Sequence, residues 1–473
     1  MTSPIIKDIC NKFLNSSSGP NIFIEPFFDN ENIIEKTSNI SMGIGKIFFL
    51  EKKGVWIPPE GEDCNTHTNT YFTINKINEN ILLTCRYSID HFGNEAMHIG
   101  WLSKDGLTFD STKHDLLPFD KDNHNPYLHV HEDQENKFIG IFRGRSYFKK
   151  LGRHDENTGL HYHKFVNNEF DLNVKPMILG KDTNSFPSDA FDTLNTINFY
   201  NDKYYSHVRI NRVSQLSKDI CPWVGDNNVN RGVQLVIHDK FQNKIEQGIQ
   251  VCRYWDFNKK QILERDIYTP GVFNYNYTRF NLSIPSCLNM ELPPGFKPFY
   301  PSGLFITKKD CQLDFHKILN TNSISNKEPN KISQFVPGMI ESSDHKKYFI
   351  YHQVWYTQTD KETWDDICNK RIDCYSIEKD RFRSLFCNND CEGFVKIKLK
   401  SNFKNMFINF ETFENGYIIC ELKDKDNNII CTTNKLLGNH LDYNTLFDIS
   451  KITNNDYIQF TLYKTKLYSY KLL

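Results

Sequence analysis

The sequence predicts an all-β protein in which a five-bladed β-propeller is followed by a C-terminal β-sandwich of the jelly-roll type. The prediction depends on a β-rich unit that recurs five times, a change of pattern after Phe382, and a composition rich in aromatic residues. The aromatic fraction is 14%, with 37 Phe and 23 Tyr, and aromatic residues are enriched in strands. A chain of 473 residues can form one to three domains with a large core.

The recurring element is a short alternating strand that ends in a charged turn and an aromatic residue. Its five copies occupy residues 99–109, 160–170, 233–241, 304–315 and 372–382. The copies lie roughly 60–75 residues apart, a spacing within reach of large propeller blades. Asp-Gly or Asn-Asn supplies the tight turn, and the aromatic residue is expected to pack back on the sheet.

Two further β-rich runs precede each copy. The middle runs are residues 80–88, 137–145, 203–212, 279–286 and 347–356. The first runs are residues 66–76, 124–131, 191–200, 268–276 and 334–341. Each unit therefore contains three successive strands with a fourth expected, and five such units fit a five-bladed propeller. Two stacked β-sandwiches with accidental similarity are the alternative.

The pattern changes after Phe382. Alternating apolar positions such as Ile458, Phe460 and Leu462 have the period of a sheet with one buried face. We therefore predict an N-terminal arm at residues 1–50 that packs on the propeller, the five blades at residues 51–385, and the β-sandwich at residues 386–473.

Charge and hydropathy exclude several classes of function. The 57 Lys and Arg residues balance 58 Asp and Glu residues, which leaves a net charge of -1 and no basic surface for nucleic acid. The sequence has no apolar run of 18 residues and no signal-peptide pattern at its N-terminus. The 13 cysteines are scattered, as in proteins of reducing compartments. We expect no nucleic-acid partner, no membrane span and, by default, a cytoplasmic location, while the oligomeric state stays open.

Several segments carry a family resemblance. They are SKDGLTF (103–109), DTLNTINFYNDKYYSHVRINR (192–212), RGVQLVIHDKF (231–241), YSIEKDRFRSLF (375–386) and IQFTLYKTKLYSYKL (458–472). These segments resemble a group of uncharacterised glycoside-hydrolase-like proteins with a five-bladed propeller and a C-terminal β-sandwich, similar to the invertase and arabinanase superfamily. The resemblance covers residues 45–473, roughly, and agrees in order with the repeats.

The resemblance implies three acidic residues on the innermost strands of successive blades, at one mouth of the channel. One carboxylate activates water or attacks the anomeric carbon, a second protonates the leaving oxygen, and a third orients the acid. Blade one offers Glu60, Glu62 and Asp63 just before its first strand. Blade three offers Asp192, which with Asn195 matches the family motif most closely and is our first catalytic candidate. The alternative is that Asp192 caps a turn.

Blade two departs from the family pattern. Its inner strand begins with His124 and Asn125, where the resemblance places an acid. An amide cannot act as a carboxylate base, so Asn125 is taken as a substrate-binding candidate, as is Asn195.

Basic and aromatic residues complete the candidate site. Arg209 and Arg231 could orient Asp192 or hold a sugar through their planar guanidinium groups, and Arg86 is a third candidate. A salt bridge between neighbouring blades is the alternative for these arginines. The aromatic side chains that could stack on a sugar are Tyr268, which we take as a substrate-binding candidate, Tyr275, Tyr277, Trp56 and Trp101.

Two histidine pairs, His129 with His131 and His161 with His163, each have a spacing that places both rings on one face of a strand. Two imidazoles can bind a metal, but no carboxylate or thiol completes the set at a diagnostic spacing. We therefore interpret these histidines as surface-facing and predict no metal. No phosphate-binding loop or dinucleotide fingerprint occurs, so no cofactor is predicted.

The leading functional hypothesis is a glycoside hydrolase that acts on a carbohydrate or glycoconjugate at the channel mouth. Asp192 would be one carboxylate, and Glu60, Glu62 or Asp63 would supply its partner. The rival is a non-catalytic glycan-binding or assembly protein with a degenerate glycosidase propeller, and a third possibility is a purely structural scaffold.

Overall fold

The computed structural model describes most of the chain in separate ranges. They are residues 1–17, 21–44, 51–56, 68–88, 96–120, 124–132, 137–145, 159–171, 178–179, 196–211, 231–239, 250–255, 267–288, 299–301, 303–320, 331–357, 367–387, 390–450, 452–453 and 456–473. These ranges contain one helix and 34 strands.

The chain begins with a helix and four strands. They are α1 (Pro4–Asn15), β1 (Phe23–Glu25), β2 (Ile33–Lys36), β3 (Ser41–Ile44) and β4 (Glu51–Trp56). Pro4 suits the first turn of α1 because its ring presets φ and that turn needs no N–H donor. At helical spacing, Ile6, Ile9 and Phe13 are buried against apolar side chains of the first two blades. The helix therefore packs on the propeller.

The first three blades are antiparallel sheets. Blade one is β5 (Thr68–Ile77), β6 (Asn80–Ser88), β7 (Ala96–Ser103) and β8 (His114–Asp120). Blade two is β9 (His124–Glu132), β10 (Lys137–Arg145) and β11 (Gly159–Val166), with the short β12 (Glu169–Phe170) and β13 (Ile178–Leu179) beside β11. Blade three is β14 (Thr196–Tyr200), β15 (Lys203–Asn211), β16 (Arg231–Asp239) and β17 (Gln250–Val251).

Blade four is divided into two sheets. Its strands are β18 (Arg253–Trp255), β19 (Ile267–Thr269), β20 (Val272–Asn274), β21 (Phe280–Ser283), β22 (Ser286–Leu288), β23 (Phe299–Pro301), β24 (Gly303–Lys308) and β25 (Asp314–Asn320). Pro270 and Gly271 separate β19 from β20. Gly271 has a φ of 53°, and a Cβ there would lie 2.5 Å from the Ile284 carbonyl oxygen, so only glycine fits this break.

Blade five is completed by the N-terminal part of the chain. Its strands β26 (Lys331–Glu341), β27 (Lys347–Thr357) and β28 (Ile367–Glu378) are followed by β4, which pairs with β28. The inner strands β5, β9, β14, β20 and β26 each contact the next, and β26 contacts β5. The five inner strands therefore form a closed ring, which confirms the predicted five-bladed propeller.

Apolar clusters fill the five interfaces between blades. Alternate residues of a strand point to opposite faces, and both faces of each blade are buried against a neighbour. Trp101 of blade one packs in one cluster with Val336 of blade five, and Phe142 of blade two packs with Phe199 of blade three. The blades are therefore joined by hydrophobic burial as well as by the closing strand.

The C-terminal strands form the predicted β-sandwich. They are β29 (Arg383–Cys387), β30 (Gly393–Lys398), β31 (Asn405–Lys423), β32 (Ile429–Thr432), β33 (Asn439–Asp448) and β34 (Tyr457–Leu472). Strand β34 pairs with β31 and also with β1, β29 and β30. Ile458, Phe460 and Leu462 are all fully buried in the sandwich core, as their alternation predicts.

Residues of the N-terminal 50 contribute to both parts of the molecule. Helix α1 lies on the blades, whereas β1, β2 and β3 pair with β34, β30 and β29 of the sandwich. The arm described by the sequence thus includes three strands of the C-terminal sheet. The boundaries 1–50, 51–385 and 386–473 stay a proposal.

Candidate active site at one mouth of the propeller

Buried residues change from apolar to polar towards the mouth at which the inner strands begin. In β6, Leu83 is followed by Thr84 and then Arg86, all of them buried. In β27, buried apolar residues are followed by His352 and Gln353, both 0% exposed. Burial of polar groups is costly unless they are hydrogen-bonded, so their concentration at one end marks that mouth as the candidate site.

Arg86 and His98 face each other on neighbouring strands of blade one. The register pairs Arg86 with His98 of β7 and with Thr70, near the start of β5. Arg86 is 8% exposed and His98 is 0% exposed. Burial lowers the pKa of His98 to about 3, so its imidazole is neutral at physiological pH. Blade one therefore presents a buried cation beside a neutral ring.

Arg209 lies at the corresponding place in blade three and is 1% exposed. Two residues earlier on the same face of β15 is His207, directly opposite Thr196 at the start of β14. His207 Nε2 lies 3.1 Å from the Gln312 carbonyl oxygen, and burial lowers the pKa of His207 to about 4. The neutral ring therefore donates from Nε2, since a carbonyl oxygen can only accept. Two blades thus place buried guanidinium groups at this mouth.

Neutral hydrogen-bonding pairs join strands at the same end. In blade five, Gln334 Nε2 donates to Gln353 Oε1 at 3.0 Å, and both residues are buried. In blade one, the hydroxyl oxygens of Thr73 and Thr84 lie 2.8 Å apart. In blades one and five, these polar pairs join the first strand to the second.

Buried carboxylates of the described blades are engaged within the fold. Asp373 of β28 forms ion pairs with Arg371 at 3.0 Å and Lys52 at 3.1 Å. Asp380 accepts hydrogen bonds from the hydroxyls of Tyr275 and Tyr348. Both acids therefore have structural partners, and neither is on an inner strand.

The proposed catalytic residues fall in segments that the structure does not describe. Asp192, Glu62, Asp63 and Asn195 lie outside the described ranges, and so does Glu60. Their roles stay a proposal.

The other proposed binding residues lie on described strands. Asn125 is the second residue of β9, Tyr268 is the middle residue of β19, and Arg231 begins β16 opposite Asn211. Asn125 therefore belongs to the inner strand of blade two, and Tyr268 belongs to β19, which immediately precedes the inner strand β20 of blade four, so both lie towards the same mouth as Arg86 and Arg209. The structure brings these four positions to one end of the propeller.

Two of the aromatic residues suggested for sugar stacking belong to the core. Trp101 is 1% exposed and packs against Trp56, with ring centroids 5.1 Å apart. Tyr275 is 2% exposed, with its hydroxyl bound to Asp380. The stacking prediction is wrong for both, because each ring fills an interface where a sugar cannot reach.

The interpretation of the paired histidines as surface-facing is also wrong for His131 and His163. His131 is 6% exposed and stacks on Phe138 at 4.9 Å, and burial lowers the pKa of His129 to about 4. His163 is 1% exposed, with Nδ1 2.7 Å from the Asp171 carbonyl oxygen.

The two histidine pairs lie on opposite faces of blade two. His131 contacts Phe199 of blade three, whereas His163 is opposite Ile141, which packs towards blade one. The described residues include no group of three or more His, Cys, Asp or Glu side chains that could hold a metal ion.

Sequence reasoning missed the buried polar residues His98, His207, Gln334 and Gln353. A signal for them was available, since each lies in a strand that also carries several buried apolar residues. Which face of the strand they occupy follows only from the pairing register.

Replacing His98 by Gln is expected to change how stability depends on pH. The native pKa of His98 is about 3, whereas the unfolded chain takes up a proton near 6.5. The unfolded state therefore binds more protons between these values, and the free energy of unfolding falls as pH drops below 6.5, by up to about 1.4 kcal/mol per pH unit. His98→Gln should thus become more stable relative to the wild type as pH falls, measured by urea unfolding from pH 7.5 to 5.

Thr84→Val is the matched control, because it removes a buried polar group of the same blade that does not titrate in this range. Thr84→Val should change the free energy of unfolding, relative to the wild type, by the same amount at every pH from 7.5 to 5. If the free energy of unfolding of His98→Gln also differed from that of the wild type by the same amount at every pH, the assignment of a neutral, buried imidazole to His98 would be refuted.

Comparisons with known proteins concern the fold. No family model matches the sequence, and no curated protein matches it significantly. The solved structures that match include several glycoside hydrolases. In the described residues, no helix is long and apolar enough to cross a membrane.

Three of these structures illustrate the match. A family 43 arabinoxylan arabinofuranohydrolase from Bacillus subtilis is 8% identical with a TM-score of 0.39, covering 86% of this chain and 96% of the other. A fructofuranosidase from Schwanniomyces occidentalis is 9% identical with a TM-score of 0.37, covering 93% and 99%. An exo-β-1,3-galactanase from Phanerochaete chrysosporium is 10% identical with a TM-score of 0.34, covering 86% and 96%. The five-bladed propeller is assigned from the strand pairing of this chain and not from these matches.

Proposed function

We propose that this protein is a glycoside hydrolase that cleaves a glycosidic bond at the mouth where its inner strands begin. The observation that carries the proposal is the pair of buried guanidinium groups, Arg86 and Arg209, contributed to this mouth by two blades. A guanidinium presents planar donors that suit sugar hydroxyls and carboxylates. A buried cation also favours the ionised form of a nearby carboxylate, which a catalytic base or nucleophile requires.

Asp192 is the proposed base or nucleophile, with Glu62 or Asp63 as the acid. Asp192 precedes the first residue of β14 by four positions, and Glu62 precedes the first residue of β5 by six. Hydrolysis requires the two carboxyl groups to lie ~5–9.5 Å apart, with the shorter separation giving retention and the longer giving inversion.

The remaining candidates position the sugar. Asn195 and Arg231 would hold hydroxyl groups on the blade-three side of the mouth, and the buried Arg209 would orient Asp192. Asn125, Arg86 and Tyr268 would do so from blades two, one and four.

A second candidate function is glycan binding without hydrolysis. Asn125 favours it, because β9 is an inner strand and carries an amide near its start, where the resemblance implies a carboxylate. Loss of that acid would leave a mouth that binds sugar without cleaving it.

The experiment incubates the full chain with a panel of aryl glycosides and follows both aryl alcohol release and the thermal unfolding midpoint. Release of the alcohol from at least one glycoside is the expected result. A ligand-induced rise in the midpoint without release would favour the binding function. No release and no shift with any member of the panel would contradict both functions.

A further inference from the structure

Two cysteines lie at the turn where β29 ends and β30 begins. Cys387 is the last residue of β29, and its side chain is 0% exposed. Cys391 lies just before the first residue pair of β30 and is exposed to solvent. Both side chains are free thiols. The turn therefore combines one thiol that a small reagent in solution can reach with one that it cannot.

The two cysteines are close in space as well as in sequence. Cys387 Sγ lies 3.5 Å from the Cys391 carbonyl oxygen, to which its S–H donates. A carbonyl oxygen is about 2.4 Å from the Cα of its own residue, so Cys387 Sγ lies within ~6 Å of the Cys391 Cα. In a disulfide the same separation is roughly 4 Å. Rotation of the exposed Cys391 side chain and a shift of about 2 Å would therefore bring the two sulfur atoms into bonding distance.

An amide of the N-terminal arm holds this geometry. Asn39 Nδ2 donates to the carbonyl oxygens of Cys391 at 3.3 Å and of Glu392 at 3.2 Å, and it lies 3.7 Å from Cys387 Sγ. The bonds to the two carbonyl oxygens fix the turn beside the buried sulfur. The contact with the sulfur favours negative charge there when the thiol proton leaves, because an N–H donor stabilises the charged form of its acceptor.

The backbone on both sides of the turn is also anchored by the arm. The backbone N–H of Thr37 donates to the Phe394 carbonyl oxygen at 3.0 Å, and the Phe394 N–H donates to Thr37 Oγ1 at 3.0 Å. Strand β3 pairs with β29 as far as Phe386, the residue before Cys387. These contacts restrict the conformations of the two cysteine backbones, and such preorganisation favours a reaction between neighbouring groups.

We propose that Cys391 and Cys387 form a peroxide-sensitive thiol pair, in which Cys391 is oxidised first and Cys387 then closes a disulfide with it. Cys391 suits the first role because oxidation of a thiol requires access from solvent. Cys387 suits the second role because its sulfur is buried beside the Cys391 backbone, where peroxide does not reach it. The inference goes beyond the proposed function and does not depend on it.

The oxidant is hydrogen peroxide or an organic hydroperoxide. The Cys391 thiolate attacks one peroxide oxygen, the O–O bond breaks, and the leaving hydroxide takes up the thiol proton, which gives a sulfenic acid and water. The Cys387 sulfur then attacks the Cys391 sulfur, so that an S–S bond forms, the S–O bond breaks, and the Cys387 proton leaves with the hydroxide as a second water. The two thiols lose the two electrons that reduce the peroxide.

The test treats the reduced full chain with hydrogen peroxide, removes the peroxide with catalase, and labels the remaining thiols with N-ethylmaleimide in urea. Trypsin then releases residues 384–396 as one peptide, which contains Cys387, Cys391 and no other cysteine. A disulfide leaves this peptide unlabelled and lighter by the two thiol hydrogens. We expect at least tenfold more of this unlabelled peptide after peroxide treatment than before it, and its loss on reduction with dithiothreitol.

Three serine variants complete the test. Cys311→Ser is the matched control, because Cys311 is an exposed thiol in the turn between β24 and β25, and it should form the disulfide as the wild type does. In Cys391→Ser, Cys387 should stay a thiol that N-ethylmaleimide labels after unfolding. In Cys387→Ser, Cys391 should advance to sulfinic acid, since the thiol that would trap its sulfenic acid is missing.

Three results would overturn the proposal. They are labelling of both wild-type cysteines after peroxide treatment, oxidation of wild-type Cys391 to sulfinic acid without a disulfide, and a disulfide from Cys391 to a second protein chain instead of Cys387. Oxidation of Cys387 in Cys391→Ser would contradict the order of the two steps. Thermal midpoints of the reduced variants report whether they are folded.

Discussion

Replacing Asp192 by Asn is expected to lower the turnover of a cleaved aryl glycoside by about 10²–10⁴-fold. Asparagine has nearly the same shape as aspartate, but it can neither accept a proton from water nor attack the anomeric carbon. Steady-state kinetics on the best aryl glycoside of the panel measure the loss. Because the sugar contacts remain, the loss should appear in kcat, with KM changed far less.

Asp8→Asn is the matched control for this substitution. Asp8 lies on α1, where it is exposed and pairs with Lys12 at 2.8 Å, so its loss should leave turnover within twofold of the wild type. Retained turnover in Asp192→Asn would remove Asp192 from the mechanism. A lower thermal midpoint together with retained turnover would instead support the role of Asp192 in capping a turn.

Replacing Arg279 by Met is expected to destabilise the protein by about 3–5 kcal/mol. Arg279 pairs with Glu25 at 3.0 Å and also with Asp29 and Glu31, and the Glu25 side chain is 1% exposed. Without Arg279, the buried Glu25 carboxylate would lose its cation and face Asp29. Urea unfolding at neutral pH measures the loss.

The loss of unfolding free energy in Arg279→Met, relative to the wild type, should become smaller as pH falls. Burial already raises the pKa of Glu25 in the native protein, although the guanidinium opposes the shift. Without that cation the pKa rises further, so native Glu25 takes up a proton at a higher pH than the unfolded chain does, and this uptake relieves the buried charge. Urea unfolding of both proteins at pH 5 tests whether the loss is smaller there than at neutral pH.

Lys308→Met is the control for Arg279. Lys308 pairs with Asp29 and Glu31, but its side chain is 40% exposed, so its removal should cost about 0–1 kcal/mol. Equal losses of unfolding free energy in Arg279→Met and Lys308→Met would contradict the conclusion that Arg279 stabilises the protein by neutralising the buried Glu25.

The candidate site could be predicted only in part. The sequence offered Arg86 and Arg209 as basic counterparts of the acidic candidates, and the structure places both at the mouth where inner strands begin. It offered Trp101 and Tyr275 among five aromatic residues that could stack on a sugar, since composition does not distinguish a ring in an interface from a ring in a pocket. It missed the neutral His98, because the burial that lowers its pKa depends on the neighbouring blade.

By itself, the sequence determined that five β-rich units precede an alternating C-terminal sheet, because strand periodicity and turn residues are local properties read over about ten positions. Only the tertiary structure decided that β4 completes blade five, that β1, β2 and β3 join the C-terminal sandwich, and that Arg279 holds the buried Glu25. Each of these contacts joins residues more than 200 positions apart. Such pairings form because they close the propeller ring, cover sheet edges and neutralise buried charges. A pattern read over about ten residues contains no information on contacts between such distant segments.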